Sequence, residues 1–274
     1  METKKQTVEK KKREGKKSRG ISSGIVILFC AIAAFCLYTY WLGNSANFEN
    51  NDINNHPQNM LGTVHKGGYN VAIVITLLLT VICLSVERLF ALAKCKGKGN
   101  LINFVYDVKT ELKKGNISAA EALCAKQQGS VAAIVDAGLK KYKEMETETT
   151  LQKEAKIQEI KNEIEEATAL ELPTMQQNLP VIATISTLGT LFGLLGTVLG
   201  MIRSFSALSS EGGADAVALS AGISEALVNT ALGIATGALA IIMYAFFTGK
   251  IDNMTYAIDE MGFALTQTYA ETHN

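Results

Sequence analysis

Apolar residues crowd four charge-poor stretches of this chain, at about 24–42, 68–86, 179–202 and 222–248. Each is close to the ~20 residues that a helix needs to cross a hydrocarbon core, so the pattern predicts four transmembrane helices. Between the second and third stretches the pattern changes. Leu101, Phe104, Val105, Val108 and Leu112 recur every three or four residues, the period of a helix with one apolar face. Ser118, followed by Glu121, resembles a capping box opening another helix. From Tyr142 to Leu172 the chain is rich in Glu and Lys, and Leu151, Ile157, Ile160 and Ile164 predict one side of a long amphipathic helix packed on its neighbours. The charge-free run from Leu172 to Ile202 would be about 46 Å long as a helix, more than the ~30 Å hydrocarbon thickness, so the third span is expected to continue beyond the membrane.

Charge sets the expected orientation. Residues 1–20 carry nine Lys or Arg against three Glu, directly before the first apolar run. The positive-inside rule accounts for that arrangement, so no nucleic-acid partner is expected. No charge appears from Gly20 to Phe48, and Tyr38, Tyr40 and Trp41 cluster at the far end as interfacial aromatics do, which favours a permanent anchor over a cleaved leader. The segmentation is then a basic cytoplasmic N-terminus (1–20), a first span (21–43), a periplasmic loop (44–67) and a second span (68–92). A cytoplasmic helical domain (93–178), a third span (179–203), a second periplasmic loop (204–220) containing Glu211, Gly212, Gly213 and Asp215, a fourth span (221–249) and a short cytoplasmic tail (250–274) follow. Both termini are expected in the cytoplasm.

Five cysteines show no metal-ligand spacing, and His56, His65 and His273 sit in loops or at the terminus, where solvated residues are expected. No catalytic constellation assembles from these residues, so a non-enzymatic role without a cofactor is expected.

The unusual chemistry lies in the last two spans. On a helical wheel Gly189, Gly193, Gly196 and Gly200 fall at about 180 to 240 degrees from Thr187, and Thr187, Thr190 and Thr197 fall at about 280 to 360. Glycines at that spacing admit a second helix, and the threonine stripe borders the contact. Each hydroxyl has two readings, bonded to its own helix or facing a polar path. On the fourth span Gly222, Ala226, Gly233, Gly237 and Ala240 form a matching stripe bordered by Glu225, Asn229, Thr230 and Thr236. Folding the hairpin about residue 212 sets Thr197, Glu225 and Thr230 at one depth. A carboxylate inside a bilayer costs roughly 2 to 4 kcal/mol unless it meets a partner, water or the interface, so Glu225 marks either a functional site or a side chain that snorkels. Arg203, Glu87 and Arg88 lie at expected span ends, so a conducting path would need a titrating group from another subunit.

The runs Asn178-Leu179-Pro180, Gly193-Leu194-Leu195-Gly196-Thr197-Val198 and Gly200-Met201-Ile202, followed by Ile223-Ser224-Glu225-Ala226-Leu227-Val228-Asn229-Thr230-Ala231-Leu232-Gly233, resemble the ExbB, TolQ and MotA proton-channel family, ExbB above all. The resemblance covers roughly residues 70–250, with Glu87-Arg88-Leu89 after the second span. It implies a ring-shaped homo-oligomer, a pentamer in this family, in the bacterial inner membrane. The ring would enclose single-span helices of an ExbD-like partner whose membrane aspartate carries the proton, and would work through a TonB-like protein on outer-membrane import. It also implies that Thr197 and Thr230 are pore threonines, that Glu225 is the pore-adjacent glutamate, and that protons are the transported ion. A TolQ-like envelope-maintenance motor and a MotA-like stator are the alternative roles. The chain departs from the family pattern in its extra N-terminal span, in Thr190 and Leu239 where relatives often have proline, and in Ala245 where asparagine is frequent.

Overall fold

The computed structural model describes residues 22–53, 55–209 and 216–273. The basic segment 1–20 and the loop tip with Glu211, Gly212, Gly213 and Asp215 lie outside the described residues. The described chain is helical almost throughout. Helix α1 (Ser23–Cys36) runs into a π-helical turn, Leu37–Leu42, closed by Gly43 N–H donating to Tyr38 O at 3.0 Å. The wider turn aims Tyr38 inward, where it is buried, and leaves Tyr40 and Trp41 exposed. Two 3-10 turns (Ser45–Asn47 and Glu49–Asn51) lead to α2 (Met60–Lys66), started by Asn59, whose side chain accepts from Gly62 N–H at 2.9 Å.

A Gly67–Gly68 corner, with Gly68 at φ +74°, then opens α3 (Tyr69–Lys96). Helices α4 (Leu101–Lys113), α5 (Ile117–Gln127), α6 (Gly129–Thr147) and α7 (Lys153–Gln176) follow. Helix α8 (Leu179–Ser209) and helix α9 (Ala216–Thr272) close the chain. Four helical stretches are long and apolar enough to cross a membrane, Ser23–Leu42, Tyr69–Lys113, Lys153–Ser206 and Leu219–Thr272. The protein is thus an all-α membrane protein. Its most extensive helix contact joins α8 to α9, and α1 packs against α3.

Beyond the hairpin, one apolar core runs from Val81 and Leu84 of α3 through Val108, Leu139 and Ile160 to Ile258, Met261 and Leu265 of α9. The tail expected after residue 249 is therefore the second half of α9. Ile251, Met254, Ile258, Met261 and Leu265 are buried at helical spacing, which holds that half in place.

Three local expectations are corrected. The amphipathic helix expected from Tyr142 to Leu172 breaks at Glu148–Gln152, because the Glu148 carboxylate accepts from the N–H groups of Thr149 and Thr150 and the Thr150 hydroxyl. Leu151 falls in that break. Asn116, not Ser118, caps α5, accepting from Ala119 N–H at 3.1 Å. Glu121 instead pairs with Lys143 at 2.5 Å. The charge-free run from Leu172 is not one helix either. Asn178, at φ +65°, separates α7 from α8, and Pro180 sits in the first turn of α8, where its missing N–H costs nothing.

Candidate functional site

Gly189, Gly193, Gly196 and Gly200 of α8 and Gly222, Gly233 and Gly237 of α9 line the contact between the two helices, and all seven are buried. A Cβ added at Gly189 would lie 3.0 Å from Gly237 N, and one at Gly193 would lie 3.2 Å from Gly233 Cα. At Gly200 it would lie 2.7 Å from Gly222 O, and the same crowding recurs at Gly196, Gly233 and Gly237. No larger residue would leave the two backbones this close. The facing pairs Gly193–Thr230 and Gly196–Asn229 set the hairpin register close to a fold about residue 212.

The structure divides the candidate threonines. Thr230 is inside the hairpin, its Oγ1 donating to Gly193 O across the seam at 3.2 Å and to Ala226 O at 3.1 Å. Thr187, Thr190 and Thr197 lie on the outward side of α8. Thr187 and Thr190 line an open groove of about 490 Å³ with Leu191, Ile234 and Ile241, and Thr190 Oγ1 reaches Ser186 O at 3.4 Å. Thr197 lines a second groove of about 630 Å³ with Val198, Met201, Ile202 and Phe205. Its hydroxyl returns to Leu194 O at 2.6 Å, the own-helix alternative.

Glu225 has a partner in the same chain. Its carboxylate pairs with the Arg203 guanidinium across the hairpin, so Arg203 does more than mark the expected end of the third span. Beside this pair an amide bridge ties three helices together. Asn70 of α3 donates to Phe192 O at 2.8 Å and to Asn229 Oδ1 at 3.1 Å, and Asn229 donates to Gly67 O at 2.8 Å and to Glu225 O at 3.1 Å. Asn70 and Asn229 are both buried, so each bond matters to stability.

A second polar cluster lies further along α3. Arg88 is only 1% exposed and holds Glu87 in a two-pronged ion pair at 2.6 and 2.5 Å. It also donates to Thr174 O at 3.2 Å, a terminal carbonyl of α7, and Asn178 donates to Glu87 Oε2 at 3.2 Å. Arg88 is thus a buried brace at the α7–α8 break. Asn70 and Glu87 are separated by about 26 Å of helix, so α3 is fastened by polar groups at both ends of its apolar run.

Sequence reasoning missed Asn70, the Arg88 brace and the Arg203–Glu225 pair. The signals were present as a lone amide opening an apolar run and as charges at its far end, but nothing in the local pattern named their partners. His56 is exposed as expected, but the other two histidines differ from expectation. The His65 ring stacks on Tyr38 with centroids 4.5 Å apart and meets the edge of Phe48 at 5.8 Å, and burial holds its pKa below the ordinary 6.5. His273 stacks on Tyr269 at 4.3 Å. Burial pushes the Cys124 thiol up to about 12, which leaves it an unreactive core residue.

Comparison with known proteins places this geometry in context. Residues 126–260, which include α7, α8, the whole glycine seam and α9 as far as residue 260, match the MotA/TolQ/ExbB proton channel family. Over 84 residues the chain is 44% identical to biopolymer transport protein ExbB-like 3 of Synechocystis, covering 30% of this chain and 40% of that protein. It is 34% identical over 95 residues to an ExbB homologue of Methanothermobacter thermautotrophicus, 35% of this chain and 33% of the relative. It is 28% identical over 117 residues to the Tol-Pal system protein TolQ of Pseudomonas aeruginosa, 43% of this chain and 51% of the relative. The chain thus spans about half or less of the length of these relatives.

Proposed function

Through residues 126–260 this chain belongs to the MotA/TolQ/ExbB proton channel family, and from that premise we propose that it is an ExbB-like subunit of a bacterial inner-membrane energiser. Copies of the chain form a ring, a pentamer by family analogy, around an ExbD-like single-span partner whose membrane aspartate carries the proton. The ring converts proton-motive force into work on a TonB-like protein that drives outer-membrane import. Residues 1–20, 93–178 and 250–274 face the cytoplasm, and 44–67 and 204–220 face the periplasm. One elementary charge crossing 100 mV releases about 2.3 kcal/mol, enough to bias a two-state assembly when several protons pass.

The observation that carries this reading is the placement of Thr187, Thr190 and Thr197 in grooves on the outward side of a helix whose other side is sealed by the glycine seam. That side is otherwise apolar, with Leu194, Val198 and Ile202 exposed, so in a ring it would face neighbouring copies and the central helices. A TolQ-like role in envelope maintenance is the second reading, favoured by the TolQ relative among the matches.

Purification of the tagged chain from its native membranes, followed by mass spectrometry of what co-purifies, tests the proposal. A single-span protein with a membrane aspartate and a TonB-like protein support it. A Tol-Pal partner set moves the chain to the second reading, and no partner at all overturns both. Thr197→Val should leave the fold intact, since the hydroxyl bonds only to its own helix, and should lower transport. Unchanged transport would remove Thr197 from the pathway.

A further inference from the structure

Arg203 and Glu225 sit on facing helices at the end of the hairpin near the Gly67–Gly68 corner. Their surroundings are unequal. The Glu225 side chain is 10% exposed, whereas that of Arg203 is 56% exposed. The carboxylate also fills the space where a side chain of residue 68 would start. A Cβ built on Gly68 would lie 2.7 Å from Glu225 Oε1 and 3.2 Å from Arg203 Nη1, and Gly68, at φ +74°, is the residue that opens α3. The carboxylate therefore lies beside both a guanidinium and the positive end of a 28-residue helix, two sources of positive potential. One turn further along α9, Asn229 holds the backbone carbonyl of Glu225 and that of Gly67 together, so main chain and side chain at residue 225 are both fixed to this corner.

A group that loads and releases an ion must be free to exchange partners. Glu225 has one oxygen on Arg203, the same oxygen in the space left by the missing side chain of Gly68, and little exposed surface. We propose that Arg203 is the positioning residue of Glu225, and that the pair latches α8 to α9 and to the start of α3, making Glu225 a fixed counter-charge rather than the carrier of the transported ion. The inference rests on the reading of this chain as an ion-driven energiser. It separates two roles that the position of Glu225 alone leaves merged.

The test is a charge exchange in the full chain, expressed with its natural partners in a host lacking its own copy. Glu225→Arg, Arg203→Glu and the double exchange Arg203→Glu/Glu225→Arg are compared for energy-dependent transport and for thermal melting of the solubilised assembly. Each single reversal should lower transport severalfold and lower the melting temperature. The double exchange should restore much of both, because a latch needs opposite charges and not a carboxylate at 225. If melting is restored while transport stays as low as in Glu225→Arg, Glu225 itself carries the ion and the proposal is overturned. It is overturned equally if the single reversals melt and transport like the wild type. Absence of energised transport in the wild-type chain would instead count against the energiser reading, and the melting comparison would still decide whether the latch exists.

Discussion

Helix α9 is held in two different ways along one unbroken length. From Gly222 to Ala240 it lies against α8 through glycine and alanine, with backbone atoms in contact and Thr230 and Asn229 supplying hydrogen bonds. From Phe247 to Tyr269 it buries large side chains, with Met261 and Leu265 fully enclosed among α4, α6 and α7. The contrast follows from solvent. Hydrocarbon gives apolar side chains no reason to leave it, so close approach and polar bonds must hold the first half. The second half belongs to a core built like that of a water-soluble bundle, where burying each large apolar side chain contributes roughly 1.5 to 3 kcal/mol. Size is therefore harmful in one half and necessary in the other.

The sharpest way to break that contrast is to exchange the two logics. Gly193→Leu should have the largest effect, because any side chain there must displace Gly233 Cα and Asn229 O, each within 3.3 Å of a first carbon. The hairpin should fail to close and the assembly should vanish from a native gel, and a complex of normal size would show that the seam tolerates bulk. Leu265→Ala, in the other half, should cost about 2 to 5 kcal/mol through the cavity it leaves, seen as a lower melting temperature. Cross-linking between cysteines placed on α8 and α9 should stay unchanged, and a loss of that cross-link would mean that the two halves are not independent.

The smallest effect lies where the loop before α3 meets the first helix. His65 Nδ1 donates a hydrogen bond to Tyr38 O at 3.2 Å while its ring stacks on Tyr38. Burial lowers its folded pKa below the ordinary 6.5, so the unfolded loop binds the proton more readily. The packing should be fully stable above pH 6.5 and weaken as pH falls through the lower folded value. Melting followed through Trp41, the single tryptophan, should show this dependence, and His65→Phe should flatten it. A flat wild-type profile would show that the ring is protonated without strain.

The membrane half was the more legible from sequence, since a small-residue stripe is a local, periodic signal and the glycine wheel found the side that α9 covers. The pattern at Ile251, Met254, Ile258, Met261 and Leu265 was equally periodic, yet Asp and Glu between these positions made the segment resemble a solvated tail. Long-range partners were the least legible. Arg88 reads as a charge ending a span until α7 is seen to deliver the carbonyls of Thr174 and Met175 to it, 86 and 87 residues away. Glu225 reads as an unpaired acid until the hairpin closes and brings Arg203 across. The break at Asn178 was hidden for a related reason, because a run without charge says nothing about backbone dihedrals.

The unbroken course of α9 has a mechanical consequence. Its 57 residues make a rod of about 85 Å, anchored in an apolar bundle at one end and against α8 at the other. With no proline between Ala216 and Thr272 to act as a joint, the rod transmits tilt along its whole length. A swing of about 5 degrees about one end displaces the other by about 7 Å, more than one helical pitch. A rigid rod of this length would act as a lever, enlarging at one end a small movement made at the other.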